Sequence, residues 1–441
     1  MNTSTVISII GIIIAMIILV KLVMNGVNIF LIAFLCTAVV ALTGKINIYE
    51  AYKEHYISGF VGFLKANFFV FLTGTLLGKA MEITNGAKSI SKMLIKGLGA
   101  QKALIAIPLA CGILGYGGVS AFVISFAVFP IALQVFHEAD LPRRYIPAAL
   151  CFGCSTFAMV APGAPQIHNA IAANALGTDI MAGAVNGFIS CGFMLILGSI
   201  WLYKMIQKEK KKGAHFIPKE NDVFEENPQE KLPNGFIALI PLVVTVLLIN
   251  IKSGGKNIVH LESGLFIGTI LTVLLMYKFI NVKTLSNEVG VAIKSSVFSI
   301  TNTCAVVGFG SVVKASVAFP FVVNAMTNIP GPPVAGVAVG TMVIAGICGS
   351  ASGGLGIASP LLGPVFMAKG IAATTIMRIM AISSSSLDSL PHNGYIVTVT
   401  NGVCNETHKD AYGAVFKLTV IVPLLATVLA VILFTIFPNL P

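Results

Sequence analysis

The sequence predicts an all-α polytopic membrane protein, built as an inverted repeat of two halves. The chain of 441 residues is 56% hydrophobic and only 10% charged, with a mean hydropathy of +0.91. Soluble domains carry about 25% charged residues. Apolar runs of about 17–25 residues, the length that crosses hydrocarbon, recur along the chain. Two of these runs are interrupted by glycines, and a segment that bends at proline and glycine follows each of them.

The first half is expected to contain five membrane crossings and one re-entrant hairpin. The fourth crossing is expected to be broken by glycine near 115–118, and the hairpin, about 145–175, to turn at Pro162–Pro165. Broken helix is tolerated in lipid only where it lines a cavity or packs on protein. The predicted crossings are about 5–23, 27–44, 57–80, 102–136 and 178–203.

A polar segment, 204–233, separates the halves and carries seven lysines and six acidic residues, so we expect a solvated cytoplasmic linker. The second half repeats the plan, with a fourth crossing broken near 349–354 and a hairpin, about 371–403, that turns at Pro391–Gly394. Because each half has an odd number of crossings, the second half begins on the opposite side of the membrane. Its predicted crossings are about 234–251, 260–280, 289–314, 334–368 and 410–437.

The distribution of lysine and arginine predicts the orientation. Basic residues are more numerous on the side of the linker, as expected for the cytoplasmic side. The predicted topology therefore has the N-terminus outside a bacterial cytoplasmic membrane, Arg143 and Arg144 outside, and Lys369 and Arg378 inside. The net charge of +11 is spread between apolar runs. Since nucleic-acid binding requires a clustered basic face, no nucleic-acid partner is expected.

Paired broken segments at matching places in two halves indicate the substrate site of a secondary transporter. Helix N-termini exposed there bind a carboxylate through backbone N–H groups, so we expect a pocket for a small organic anion. An alternative for the paired glycines is close helix packing. The candidate substrate-binding residues are Gly117, Gly118, Ser120, Gln166, His168, Asn169, Ser352, Gly353, Gly354, His392 and Asn393.

Asp388 is the most informative single residue, because an intramembrane carboxylate is costly and by default a functional-site candidate. It follows four consecutive serines and precedes the second bend. It could carry a coupling proton, hold a cation or bind a substrate hydroxyl. The alternative is a structural brace bonded to nearby serines. The candidate coupling residues are Asp388, Ser385, Ser386 and His392, the last because histidine titrates near neutral pH.

Several motifs resemble the gluconate permease (GntP) family of bacterial organic-anion:proton symporters, and within it the D-beta-hydroxybutyrate permeases. The resemblance covers most of the chain. It implies import of a small hydroxy-monocarboxylate together with protons by an inverted-repeat fold. Such proteins are often homodimers with an elevator-like transport domain, and the family also includes carriers of sugar acids and of a hydroxy amino acid. The motifs are Gly78–Lys79, Tyr116–Ser120, Asp140–Arg144, Pro162–Ile167, Gly349–Gly354 and Leu387–Gly394.

The sequence therefore predicts a proton-coupled symporter of a 3-hydroxybutyrate-like anion. A sodium-coupled transporter and a gluconate or sugar-acid permease are the alternatives, since the serine hydroxyls could also bind Na⁺. A channel would carry charged rings or a repeated filter sequence. An enzyme would need a nucleophile, a base and an orienting group, and the sequence presents no such set. Cys151 and Cys154 are interpreted as helix-packing residues, so neither a metal nor a cofactor is expected.

Overall fold

The computed structural model describes residues 2–24, 27–98, 103–220, 222, 231–253, 256–391, 393–438 and 440. This part of the chain is nearly all helical, with one antiparallel pair of two-residue strands. The strands are β1 (Lys252–Ser253) and β2 (Lys256–Asn257). The helices are α1 (Thr3–Met24), α2 (Ile29–Thr43), α3 (Ile48–Ile83), α4 (Gly86–Leu98), α5 (Ala103–Tyr116), α6 (Ala121–Glu138), α7 (Ile146–Ser155), α8 (Ile167–Leu176), α9 (Ala184–Lys210), α10 (Gly235–Asn250), α11 (Leu261–Met276), α12 (Val282–Ala315), α13 (Phe319–Thr327), α14 (Pro333–Cys348), α15 (Ala351–Ala368), α16 (Ala373–Leu387), α17 (Gly394–Val397, continued by a π-helical turn, Thr398–Val403) and α18 (His408–Ile436).

Seven helical segments of the described residues are long and apolar enough to cross a membrane. They correspond to α3, α6, α9, α11 with its short 3-10 extension, α12, α15 and α18. Five shorter apolar helices, α1, α2, α5, α10 and α14, are also present in the described residues, and α1 packs on α2 and α14. The predicted all-α membrane fold is therefore confirmed.

Both halves contain the same kinds of element in the same order. Each begins with two helices, continues with a long and a short helix, and then has two short helices that pack on each other. Each continues with a helix, a non-helical loop and a second helix, and ends on a long helix. The long helices α3 and α12 form the most extensive helix–helix contact in the described residues.

Helix α18 defines the two ends of the molecule, because its 29 residues span about 43 Å. Its first residues follow Glu406, whose carboxylate accepts from Lys219 of the linker at 2.9 Å. We call this the linker end. The last turn of α18 lines a surface cavity of about 360 Å³ with Pro332 and Ile371. We call this the far end.

The segment predicted as one broken crossing, 102–136, instead folds back on itself. Helices α5 and α6 pack together. Before them, α4 lies at the linker end, where Ser89 Oγ donates to the Pro233 carbonyl. After them, Lys210 Nζ donates to the Ala139 carbonyl at 3.2 Å. Both ends of this first folded-back pair therefore lie at the linker end, and the prediction of a single crossing was wrong.

The segment 334–368 is also a folded-back pair rather than a crossing. Helices α14 and α15 pack on each other. The start of α14 at Val334 and the residues after α15, Gly370 and Ile371, line the same far-end cavity. This second folded-back pair therefore opens to the far end, opposite to the first.

Conversely, the predicted hairpin 145–175 spans the molecule. Arg143, just before α7, is bonded to Asp222 at the linker end. After α8, the chain reaches the far end, where Asn186 Nδ2 in the first turn of α9 donates to the Phe437 carbonyl at 3.1 Å. The segment between them, α7, loop 156–166 and α8, is the first broken crossing.

The predicted hairpin 371–403 also spans the molecule. Helix α16 begins at the far-end cavity, where Ala372 is one of the lining residues. After the π-helical turn, the Cys404 carbonyl accepts from Arg143 Nη1 at the linker end at 2.7 Å. Helix α16, loop 388–393 and α17 are the second broken crossing. A Gly/Pro break signals that a helix stops, but only packing against neighbours decides in which direction the chain continues.

Two of the predicted break glycines lie inside a helix. The second interruption is confined to Gly349, in the left-handed conformation at φ 56°, and Ser350. Gly353 and Gly354 belong to α15. A Cβ at Gly354 would lie 2.4 Å from the Ala345 Cα of α14. Gly354 therefore serves close helix packing, so the expectation of exposed backbone at Gly353 and Gly354 was wrong.

The described part of the linker is not simply solvated. His215 Nδ1 lies 2.6 Å from Asp140 Oδ2, and the Phe216 amide donates to Asp140 Oδ1 at 2.9 Å. Asp222 forms a bidentate pair with Arg143. The linker thus folds onto the linker end of the helices, while most of its second part, 223–230, lies outside the described residues.

Candidate functional site

The turn of the first folded-back pair contacts the loop of the first broken crossing. Gln166 Nε2 donates to the carbonyls of Gly115 and Val119, the latter at 3.3 Å. Tyr116 Oη donates to the Pro162 carbonyl at 3.0 Å. The last carbonyls of a helix have no partner within the helix, so Gln166 caps the C-terminal end of α5. Its side-chain N–H groups are therefore engaged in structure.

The glycines of this turn are required by packing. Gly118 has φ 94°, and a Cβ there would lie 2.9 Å from Pro165 Cγ. A Cβ at Gly117 would lie 2.8 Å from Leu242 Cβ of α10. Ser120 precedes α6 in an extended conformation, and its side chain makes no capping bond. Gly118 thus lies beside the loop of the broken crossing, whereas Gly117 contacts α10 and Ser120 lies next to Gly78 of α3.

Asn169 and His168, on the first turn of α8, differ in their bonding. Asn169 is buried, and its Nδ2 donates to the carbonyls of Ala161 at 2.8 Å and Ala164 at 3.1 Å. It therefore fixes the shape of loop 156–166. His168 Nδ1 is buried and has no hydrogen-bond partner among the described residues. Buried polar atoms usually have a hydrogen-bond partner. The unpaired imidazole nitrogen of His168 is therefore a group at this loop to which a ligand could hydrogen-bond.

The turn of the second folded-back pair contacts the loop of the second broken crossing. Asp388 is 4% exposed. Its carboxylate accepts from Ser389 Oγ at 3.1 Å and faces the backbone N–H of Ala351. Ala351 is the first residue of α15, so the carboxylate lies at the positive end of the helix dipole. Asp388 therefore lies next to the interruption between α14 and α15.

Ser350 and Ser352 complete the same corner. Ser350 Oγ is the N-cap acceptor for the Gly353 amide at 3.2 Å, and it lies 3.2 Å from Ser352 Oγ. The Ser350 side chain is used in capping α15. The Ser352 hydroxyl is therefore the side-chain group of this turn that a ligand could contact.

Asn393 caps the helix after the loop. Its Oδ1 accepts from the Ile396 amide at 2.9 Å, and its Nδ2 donates to the Asp388 carbonyl at 2.8 Å. Asn393 therefore orients Asp388 and the start of α17 together. His392, predicted both as substrate ligand and as coupling residue, lies outside the described residues.

Ser385 and Ser386 are buried, and their hydroxyls donate to the carbonyls of Ile382 and Ser383, each at 2.8 Å. These are local bonds within α16, of the kind serine makes three residues back along a helix. The hydroxyl oxygens remain acceptors, so the two serines are compatible with either a structural or a cation-binding role.

The two halves meet through the helices of the broken crossings. Helix α8 of the first half packs on α15 and α16 of the second. In the opposite sense, Tyr395 of α17 packs edge-on against Phe122 of α6, with ring centroids 5.2 Å apart, and its hydroxyl lies 2.8 Å from Ser125 Oγ. The Tyr395–Ser125 pair was not predicted, because serine and tyrosine in apolar helices have no distinctive sequence signal.

Two arginines that the sequence analysis assigned to opposite sides of the membrane are both buried. Arg378 is fully buried in α16 and bonded to the first half. Arg143 is 4% exposed and pairs with Asp222 and Glu406. Burial opposes the charge of Asp222, but hydrogen bonds from Arg143 and the Lys219 amide outweigh it and lower its pKa. A lone arginine between apolar residues, as at Arg378, was the available signal.

This arrangement offers amide N–H groups, hydroxyls and one buried carboxylate, each next to a helix interruption. Such groups bind an anion, a proton or a small cation without a bound metal. No group of three or more His, Cys, Asp or Glu suited to a metal ion occurs in the described residues.

Comparisons with known proteins agree with a transport role. The model of the GntP family permease matches residues 4–434. An uncharacterized transporter of Bacillus subtilis, YxjC, is 31% identical and covers 90% of this chain and 92% of its own length. The D-serine transporter DsdX of Escherichia coli is 27% identical over 52% of this chain and 50% of its own.

Two solved structures share the fold at 16% identity. The YdaH transporter of Alcanivorax borkumensis, described as having an unusual topology, has a TM-score of 0.62 and covers 96% of this chain and 98% of its own. MtrF of Neisseria gonorrhoeae, presented as illuminating a class of antimetabolite efflux pumps, has a TM-score of 0.54 over 90% of this chain and 85% of its own. The chain is a multi-pass membrane transporter, and it belongs to the GntP family of permeases.

Proposed function

We propose that this protein is a proton-coupled symporter of a small hydroxy-monocarboxylate. The substrate carboxylate would bind to backbone N–H groups at the two loops, and hydroxyl and amide side chains would recognise the substrate hydroxyl. We also propose that the two contact regions form one site, and the packing of α8 on α15 and α16 supports this proposal.

The observation that carries the coupling proposal is the position of Asp388. It is a buried carboxylate at the N-terminus of α15, beside four serines in an apolar helix. Intramembrane carboxylates form proton relays in pumps and transporters. Protonation would remove its attraction to the Ala351 N–H, and this loosens the contact between the folded-back pair and the broken crossing.

The substrate class follows from chemistry shared with a relative. D-serine, which gives DsdX its name, has a carboxylate and a nearby hydroxyl, and so do 3-hydroxybutyrate and gluconate. Our preferred substrate is 3-hydroxybutyrate-like, and gluconate or another sugar acid is the alternative.

The test is uptake into proteoliposomes of labelled 3-hydroxybutyrate, D-serine and gluconate. An inward pH gradient should drive accumulation of one of them, and Asp388→Asn should abolish accumulation. Asp140→Asn is the matched control, because that carboxylate is half-exposed and paired with His215 at the linker end. Accumulation by the Asp388→Asn protein that still follows the pH gradient would refute the role of Asp388.

Sodium coupling is the second candidate, because Ser385 and Ser386 present oxygen atoms next to Asp388. Uptake that follows a sodium gradient and ignores pH would decide for it. Counterflow, in which unlabelled substrate inside the vesicle accelerates entry of labelled substrate, would exclude a channel.

We further propose that residues 1–203 and 234–441 are inverted repeats joined by the cytoplasmic linker 204–233. The folded-back pairs that open to opposite ends support this relation.

We propose that the linker end is cytoplasmic and the N-terminus outside. Arg143 and Arg144 lie at the linker end and Lys369 at the far end, each opposite to the predicted side. With these three residues reassigned, basic residues remain more numerous on the linker side. Protease access to the linker from each side of oriented vesicles tests it. A homodimer, tested by light scattering, remains a prediction.

A further inference from the structure

Arg378 is a charged residue that the transport proposal leaves unused. It lies in the second half, fully buried, yet all its described hydrogen bonds go to the first half. Its Nε donates to the Ala182 carbonyl at 2.8 Å and its Nη2 to the Ile180 carbonyl at 2.7 Å. Its Nη1 donates to the Val160 carbonyl at 2.7 Å and to Asn169 Oδ1 at 3.0 Å.

All four acceptors are uncharged oxygens. Burying a cation without a bonded carboxylate is costly, and an apolar residue would pack in α16 without that cost. Arginine in this position therefore keeps a positive charge next to loop 156–166. It binds the Val160 carbonyl of this loop directly, and Asn169, which it also contacts, binds the Ala161 carbonyl.

One peptide group in this cluster has the arginine on its carbonyl side and a carboxylate on its N–H side. The Ile180 carbonyl accepts from Arg378, and the N–H of the same peptide group, on Met181, donates to Asp179 Oδ1 at 2.7 Å. A trans peptide directs its carbonyl and N–H in opposite directions. An arginine on the carbonyl side thus polarises the group and leaves the N–H to bind a carboxylate on the other side.

The Val160–Ala161 peptide group has the same arginine on its carbonyl. We propose that Arg378 is a positioning residue of the anion site, which orients this peptide so that the Ala161 N–H receives the substrate carboxylate. Asn169 supports it by bonding both Arg378 and the Ala161 carbonyl. The inference rests on the proposed function, and it identifies the Ala161 N–H as the anion-binding group and the Arg378 side chain as the positive charge that supports it.

The test compares Arg378→Gln, Arg378→Lys and Arg143→Lys in proteoliposome uptake of labelled 3-hydroxybutyrate, or of D-serine or gluconate if the wild type accumulates that instead. A charge-assisted bond to an anion is worth about 10- to 100-fold in affinity. Arg378→Gln should raise KM by that factor, and Arg378→Lys, which keeps the charge but not the planar fork, by less. Arg143→Lys alters the linker end and should leave KM unchanged.

A second variant addresses a possible failure of Arg378→Gln to fold. Asn169→Asp gives Arg378 a carboxylate partner, which offsets its charge beside the peptide, and it also removes the Nδ2 donor to the carbonyls of Ala161 and Ala164. Both changes act on the proposed site, so KM should rise in protein whose folding is verified by circular dichroism.

KM within twofold of wild type in the Arg378 and Asn169 variants, with only the amount of folded protein or the maximal rate reduced, overturns the role of Arg378. Absence of wild-type uptake of all three anions overturns the proposed function and this inference together.

Discussion

The two broken crossings share a helix–loop–helix plan and differ in electrostatic character. In the first, the side chains of loop 156–166 are neutral, Gln166 and Asn169 hold the loop by hydrogen bonds, and the charged group that contacts it is Arg378, which donates to the Val160 carbonyl. The second carries carboxylates, Asp388 in its loop and Glu406 after its last helix. We propose that one backbone plan serves two chemistries, with an anion attracted to the first loop and a proton or cation to the second.

Each loop side chain also matches the helix end that it contacts. Gln166 presents N–H donors to the C-terminal carbonyls of α5, whereas Asp388 presents a carboxylate to the N-terminal amide of α15. Helix C-termini are partially negative and N-termini partially positive. The difference in side chain follows from which end of which helix faces the loop.

The largest expected loss of stability follows from a change at the end of the second broken crossing. Arg143→Ala would leave the buried Asp222 without its ion-pair partner and Glu406 with Lys219 alone, and breaking such a buried pair costs about 3–5 kcal/mol. We expect a clearly lower melting temperature of the purified protein in detergent. The control is Arg144→Ala, whose side chain is 42% exposed beside Glu209 and which should cost about 1 kcal/mol or less. Equal losses in the two variants would show that the buried pair has no special weight.

The glycines of the two turns should respond with opposite signs. Gly118→Ala forces a side chain into a positive-φ conformation against Pro165, at a cost of about 1–3 kcal/mol. Gly353 is helical, and its nearest foreign atoms lie 3.5 Å from an added Cβ. Gly353→Ala should therefore gain up to about 1 kcal/mol. Melting temperatures measure both, and destabilisation by Gly353→Ala would mean that this turn moves during folding or transport.

Removal of the helix caps at Gln166 and Ser350 should distinguish the contact at the first loop from the contact at the second. Gln166→Ala leaves the carbonyls of Gly115 and Val119 without this donor, at a cost of about 1–3 kcal/mol. Ser350→Ala removes the N-cap of α15 and should cost about 1 kcal/mol. Neither change removes a titratable group, so accumulation in both variants should still follow the pH gradient. Uncoupling by Gln166→Ala would contradict the assignment of coupling to the second loop.

The smallest effect expected is on acid stability. The pKa of Asp222 is lowered in the folded protein, so the folded state binds fewer protons there than the unfolded chain. The stabilisation is complete above the unfolded pKa of about 3.9 and is lost as pH falls through the folded pKa. Melting temperature should therefore drop more steeply below about pH 4 in the wild type than in Asp222→Asn. Parallel curves would exclude this contribution.

The sequence by itself determined the composition of the fold and the places where its helices stop. Apolar length sets the number of spans, and the interruptions near Gly117 and Gly349 lie at glycine clusters, where the backbone can leave the helical conformation without a steric cost. Asp388 could be singled out for the same reason, since a carboxylate among apolar residues is costly wherever the fold places it. These are local properties, so they can be read from neighbouring residues.

Only the tertiary structure decided in which direction the chain leaves each interruption. A break near Gly117 is compatible with a crossing or a return, and packing of α5 on α6 selected the return. Partners far apart in sequence also decided whether Gln166 binds substrate or caps α5, and whether Arg378 lies in a loop or the interior. Such choices depend on long-range contacts, because a side chain's role is set by the group that packs against it.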